Sequence, residues 1–118
     1  MTLMVISIVL LVTAGLVGAA NFARRAGGKT TWRAAGYAHG VLALAAFVLL
    51  IVFYSAAHLA KPPNLAYQLL ALSLVAGFVF FGINLGTRKP PRWLALAHGI
   101  LALAGLVLLL LFVLAGIA

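Results

Sequence analysis

Residues Ala34–Ala57 read AAGYAHGVLALAAFVLLIVFYSAA, a run of 24 residues that contains no charged side chain. An α-helix rises about 1.5 Å per residue, and about 20 apolar residues are enough to cross the hydrocarbon core of a bilayer. This run is therefore long enough to span a membrane as one helix.

Three further runs have the same character. The four predicted membrane helices are Leu3–Phe22, Ala34–Ala57, Leu65–Leu85 and Trp93–Ile117. The connections between them contain helix-ending residues, among them Gly27-Gly28, Pro62-Pro63 and Pro90-Pro91. Because short connections favour antiparallel neighbours, the sequence predicts an all-α integral membrane protein built as an up-down four-helix transmembrane bundle. We expect residues 1–118 to form this single transmembrane domain.

The composition agrees with a lipid environment. Of the 118 residues, 67% are hydrophobic, eight are Lys or Arg, and none is Asp or Glu. A soluble domain normally carries about a quarter charged residues of both signs. The net charge of +8 does not indicate nucleic-acid binding, because it lies in short loops between apolar runs and not on a folded polar face.

The missing residue types exclude several functions. Without a carboxylate side chain there is no general acid/base pair, no Ser-His-Asp site and no membrane-embedded Glu of the kind that small multidrug exporters need. Without cysteine there are no disulfides, thiolate metal sites or iron–sulfur clusters. We therefore do not expect the chain to be an enzyme by itself.

The basic residues predict the orientation in the membrane. Four lie in the first connection (Arg24, Arg25, Lys29, Arg33), three in the third (Arg88, Lys89, Arg92), and only Lys61 in the second. By the positive-inside rule, connections one and three face the cytoplasm and both termini are non-cytoplasmic. The first apolar run has no basic residue before it, so we interpret it as a retained helix and not as a signal peptide.

The chain also contains an internal match. Residues 38–45 read AHGVLALA and residues 97–104 read AHGILALA. Leu and Ala matches are common in membrane helices, but a His-Gly pair at the same place is not. The preceding helices each end in an asparagine, Asn21 or Asn84, before a basic turn. The order predicts two parallel copies of a helix pair, residues 1–57 and 65–118, related by an axis along the membrane normal.

The two matched histidines are the candidate functional residues. Polar groups inside hydrocarbon are costly and often functional. His39 and His98 each lie about five residues into a predicted helix, roughly 7–8 Å below the interface. In an up-down bundle the two imidazoles would point into the core from opposite sides, as the axial pair of a six-coordinate haem does.

Neighbouring residues suit the same cofactor. Gly40 and Gly99 follow the histidines and would leave room for a flat macrocycle. Arg33 and Arg92 would pair with haem propionates at the cytoplasmic rim. Each imidazole would also need a partner for its second nitrogen, commonly a backbone carbonyl or a hydroxyl.

With these features the chain resembles small membrane b-type cytochromes with bis-histidine ligation. The resemblance implies one haem b and electron transfer with a quinone or another membrane subunit. The chain departs from two-haem membrane cytochromes, which carry histidine pairs near both faces, because only His58 lies at the other end. Residues 88–99, RKPPRWLALAHG, also resemble small bacterial inner-membrane proteins, which implies a multi-pass protein of the bacterial cytoplasmic membrane.

Other interpretations of the histidines stay open at this point. Each could hydrogen-bond a neighbouring helix and bind nothing, ligate a chlorophyll-type magnesium, or line a quinone site. If the histidines bind nothing, the chain would be a cofactor-free structural or accessory subunit that packs into a larger membrane complex or self-associates. His58 lies about 28 Å from the level of His39 along the helix and is predicted to be an exposed interfacial residue.

Small and polar residues suggest further contacts between helices. The small pairs Ala14/Gly18, Gly36/Gly40 and Ala95/Gly99 would allow close backbone approach in lipid. Asn21 and Asn84 are expected to cap the first and third helices. The remaining polar residues are expected to form interhelical hydrogen bonds: Ser7, Thr13, Gln68 and Ser73.

Overall fold

The computed structural model describes residues 1–86 and 88–117, and within this range it contains four α-helices. They are α1 (Thr2–Ala26), α2 (Arg33–Ala57), α3 (Asn64–Leu85) and α4 (Arg92–Ile117). All four are long and apolar enough to cross a membrane. The predicted all-helical protein is confirmed, and its four helices have the length and composition needed to span a membrane.

Helix α1 is longer than predicted. It continues from Phe22 to Ala26, so Arg24 and Arg25 lie in its last turn and not in the following loop. Long basic side chains can leave an apolar helix end and reach the headgroups, and their charge is favourable at the negative end of the helix dipole. Residues 27–32 then form the loop, in which Gly28 has a φ of 76°.

Helix α2 ends at His58, which has a φ of 44° and a ψ of 48°. The left-handed region is uncommon for a residue other than glycine and often marks a helix end. His58 is exposed at this position. It therefore terminates α2 at the end of the helix that lies farthest from His39.

The chain divides into two compact units, Met1–Ala60 and Lys61–Ala118. In the first unit α1 packs against α2, and in the second α3 packs against α4, so each unit is a helical hairpin. The buried residues of the first hairpin are Met4, Ser7, Ala14, Ala46, Leu50 and Phe53. Their spacing of three, four or seven residues places them along one face of each helix.

The second hairpin contains one very close backbone contact. An ideal Cβ on Gly105 of α4 would lie 2.8 Å from Cγ of Leu70 and 3.2 Å from the carbonyl oxygen of Ala66, both on α3. Leu70 is itself buried. The missing side chain of Gly105 therefore allows α4 to approach α3.

Within each hairpin, few residues of the apolar helices are buried. Only 17–22% of the most hydrophobic window of each helix is buried. In water such exposed apolar surface would be unfavourable, whereas lipid tails are as apolar as the side chains themselves. The exposed faces thus agree with a multi-pass membrane protein in contact with lipid.

We expect Gly105→Ala to destabilise the second hairpin by about 1–3 kcal/mol, because the added methyl group must displace the buried Leu70 side chain. Gly99→Ala on the same helix is the matched control, since a Cβ there meets open space. Unfolding in detergent titrated with dodecyl sulfate, followed by circular dichroism, measures both variants. Equal stability of the two variants would contradict the close contact.

Candidate functional site

His39 is held between the two helices of the first hairpin. Its Nδ1 lies 2.7 Å from the carbonyl oxygen of Ala14 on α1. An ideal Cβ on Gly18, one turn further along α1, would lie 2.8 Å from Nδ1 and 2.9 Å from Cε1 of the ring. The imidazole therefore occupies space that exists only because residue 18 is glycine.

His98 has the same kind of site in the second hairpin. Its Nδ1 lies 2.7 Å from the carbonyl oxygen of Ser73 on α3. An ideal Cβ on Gly77 would lie 3.0 Å from Cε1 and 3.2 Å from Nδ1. In addition, the Ser73 hydroxyl donates to the backbone oxygen of His98 at 2.9 Å, and its Oγ lies 3.1 Å from Nδ1.

These contacts determine the tautomer of both rings. A carbonyl oxygen only accepts hydrogen bonds, so an Nδ1 at 2.7 Å from one must carry the hydrogen. In the neutral imidazole the lone pair is then on Nε2, one of the two nitrogens through which histidine binds metals. A backbone carbonyl that accepts from Nδ1 is a common second contact of metal-binding histidines, because it fixes ring orientation and tautomer.

The other predicted cofactor residues lie on the same helices as the histidines. A Cβ on Gly40 or Gly99 would meet open space, so there is room beside each histidine. Arg33 and Arg92 are exposed first residues of α2 and α4. Each lies six residues before its histidine, about 9 Å along the helix axis.

The predicted small-residue contacts are found at one pair. Ala14 and Gly18 do form a close contact with the opposite helix, and the group that they contact is the imidazole of His39. Gly40 and Gly99 make no such contact inside their own hairpins, since a Cβ there would meet no atom of another described element within 4 Å. The equivalent pair in the second hairpin, Ser73 and Gly77, was not recognised as a packing site from the sequence.

Asn21 does not act as the predicted cap of α1. Its Oδ1 accepts a hydrogen bond from the backbone N–H of Trp32 at 3.0 Å, and its Nδ2 donates to the Trp32 carbonyl oxygen at 3.1 Å. The side chain thus fixes the residue from which α2 starts. Asn84 is not the equivalent of Asn21 in the second hairpin. It lies 63 residues after Asn21, whereas His98 lies 59 residues after His39.

Of the predicted interhelical polar residues, Ser73 is confirmed by its bond to His98. The prediction was wrong for Ser7 and Thr13, whose hydroxyls donate to carbonyl oxygens four residues back on their own helix at 2.7 and 2.8 Å. A serine or threonine hydroxyl can always reach that carbonyl. An acceptor on a second helix competes for the hydroxyl only where the two backbones are very close.

His58 lies at the end of α2 that is farther from His39. It is the exposed residue at which α2 ends. In the part of the chain that the structure describes, no group of three or more His, Cys, Asp or Glu side chains is placed to hold a metal ion.

Comparisons with protein-family models, with curated proteins and with solved structures give no match to this chain. The function is therefore inferred from the two imidazole sites themselves. Each site consists of a histidine on one helix and of a carbonyl oxygen and a glycine on the other helix of the same hairpin.

We expect Gly18→Ala to displace the His39 ring and to weaken its bond to Ala14, which costs about 1–3 kcal/mol of stability. Gly15→Ala on the same helix is the control, because a Cβ there meets nothing within 4 Å. Nitrogen NMR of the labelled imidazole measures the Nδ1 hydrogen bond directly. An unchanged His39 spectrum in Gly18→Ala would contradict the described site.

Proposed function

We propose that this chain is a multi-pass membrane protein that binds one b-type haem through Nε2 of His39 and Nε2 of His98 and carries electrons through it. The observation that supports this most directly is the Nδ1–H bond of each ring to a backbone carbonyl at 2.7 Å. With the hydrogen on Nδ1, the lone pair of the neutral ring lies on Nε2, and the bond holds the ring in one orientation.

We also infer that the two hairpins are copies of one another, in parallel orientation. A constant offset of 59 positions relates His39 to His98, Gly18 to Gly77, and the last residue of α1 to that of α3. A parallel repeat places equivalent residues at equal depth in the membrane. Equal depth is what one haem needs if each hairpin supplies one axial ligand.

The residues around the histidines fit a haem. The open space beside Gly40 and Gly99 suits a flat macrocycle. Arg33 and Arg92 are permanently charged and bind carboxylates in a bidentate manner, so they suit the propionates. The chain has no Asp or Glu that would compete for these arginines.

A bound haem would supply one-electron redox chemistry, and the protein would bind and orient it. The basic connections are short, since α1 and α2 are joined by residues 27–32 and α3 and α4 by residues 86–91. Such loops are too small to form a soluble docking domain. The electron partner would therefore be a quinone or another membrane subunit that meets the protein within the bilayer.

A second candidate function is that of a cofactor-free accessory subunit of a larger membrane complex. This function is favoured by the same Nδ1–carbonyl bond, because the bond satisfies one ring nitrogen and joins the two helices of each hairpin without any cofactor. The many exposed large apolar side chains would suit packing against other subunits or self-association. The two candidates differ in whether the purified protein absorbs visible light.

We further propose that the basic loops face the cytoplasm of a bacterial cell, with both termini on the other side of the inner membrane. Seven of the eight Lys and Arg residues lie at or beside these two loops. Such a bias over short loops determines topology during insertion. This orientation would place Arg33 and Arg92 at the cytoplasmic surface.

The haem proposal predicts that the detergent-purified protein shows sharp α and β absorption bands after reduction with dithionite. His39→Ala and His98→Ala should each lose these bands, because each removes one of the two histidines that would hold the haem. His58→Ala is the control and should keep them, since His58 is exposed at the far end of α2. A protein that stays colourless when haem is supplied during expression would support the accessory-subunit proposal instead.

The orientation can be tested with introduced cysteines, because the chain has none of its own. Thr30→Cys lies in the basic loop and Ala60→Cys in the loop between the hairpins, and both positions are exposed. In spheroplasts, a membrane-impermeant maleimide should label Ala60→Cys and leave Thr30→Cys unlabelled until the membrane is permeabilised. The reverse pattern would contradict the proposed topology.

A further inference from the structure

We propose that the loop end of the first hairpin binds the phosphate group of an anionic phospholipid, with Arg24 as the main contact. This site is independent of the haem proposal, because it uses neither histidine and neither of the proposed propionate partners. Its basis is the position of Arg24 between α1 and Trp32.

The charges at this end of the hairpin need anions from outside the chain. Arg24, Arg25 and Lys29 lie within six positions of one another, and the whole sequence contains no Asp or Glu side chain that could neutralise them. The backbone N–H of Lys29 donates to the carbonyl oxygen of Arg24 at 2.9 Å, so the loop folds back onto the last turn of α1. In a membrane, the nearest abundant anions are lipid headgroups.

Arg24 is held in position before any ligand binds. Its guanidinium carbon lies 4.1 Å from the centroid of the Trp32 ring, a cation–π contact. Its Nε donates to the carbonyl oxygen of Thr30 at 3.1 Å. That bond uses one N–H of the guanidinium, whereas the terminal N–H groups form the fork that grips a phosphate.

Trp32 is held in place in turn. Its backbone N–H and carbonyl both bond to the side chain of Asn21, at 3.0 and 3.1 Å, while its side chain is 57% exposed. Exposed tryptophans of membrane proteins prefer the headgroup region. The ring therefore places the Arg24 guanidinium at the depth of the lipid phosphates, which favours a phospholipid over a soluble anion.

The second hairpin provides an internal comparison. Fifty-nine positions after Arg24 and Trp32 the chain has Ile83 and Pro91, so the stacked pair has no counterpart there. The second loop still carries Arg88 and Lys89. Arg88→Gln therefore removes the same charge as Arg24→Gln from a loop that lacks the stacked Arg–Trp pair.

The test uses Trp32 as its own reporter. The chain has two tryptophans, and Trp93→Phe leaves only the one beside Arg24. The full-length variant is reconstituted in phosphatidylcholine vesicles that contain phosphatidylglycerol, with one of the two lipids brominated. Quenching of fluorescence, normalised to the unbrominated mixture, gives the relative affinity of the two lipids at Trp32.

We expect phosphatidylglycerol to be preferred at Trp32, and Arg24→Gln to reduce this preference by about fivefold, the effect of one cation near an anionic surface. Arg88→Gln should leave the preference unchanged. Asn21→Ala, which alters no charge, should also reduce it, because Trp32 loses both backbone bonds to Asn21. Circular dichroism identifies any variant that has lost its helices.

Three results would overturn the proposal. Equal quenching by the two brominated lipids would show that no headgroup is selected. Equal losses in Arg24→Gln and Arg88→Gln would show attraction by net charge without a built site. Relief of the phosphatidylglycerol quenching by millimolar inorganic phosphate would show a site for soluble anions.

Discussion

The hydrogen bond between an imidazole Nδ1 and a backbone carbonyl on the opposite helix is the interaction on which each hairpin depends. No water is present in the bilayer core to satisfy a polar ring, so an unbonded imidazole would be costly there. The bond also sets a distance between helices, because the ring must fit between them. Gly18 and Gly77 provide the space for it, and a larger residue at either position would meet the ring.

The two sites differ in one residue, and this difference changes how firmly each ring is held. Ser73 supplies both a carbonyl and a hydroxyl to the second site, whereas Ala14 supplies only a carbonyl to the first. The hydroxyl also joins the backbones, because it donates to the carbonyl oxygen of His98. If both histidines bind one haem, the ligand from the second hairpin would therefore be the more restrained of the two.

The apolar runs and the loop residues were sufficient to predict four helices. The matched His-Gly pairs drew attention to the two histidines that hydrogen-bond across the hairpins. The sequence did not show which residues of α1 and α3 would meet them. That depends on the rotation of each helix about its axis, and Leu- and Ala-rich helices have similar side chains on all faces. The role of Asn21 was also misjudged, because its hydrogen-bond partner Trp32 lies eleven positions away across the loop.

The hairpins have a consequence for how the chain is made. The contact between His39 and Ala14 spans 25 residues, as does the contact between His98 and Ser73. Such low contact order requires only a short loop closure. The contacts between α1 and α2 involve only residues of the first unit, Met1–Ala60. They can therefore form during synthesis, before the ribosome has finished the second unit.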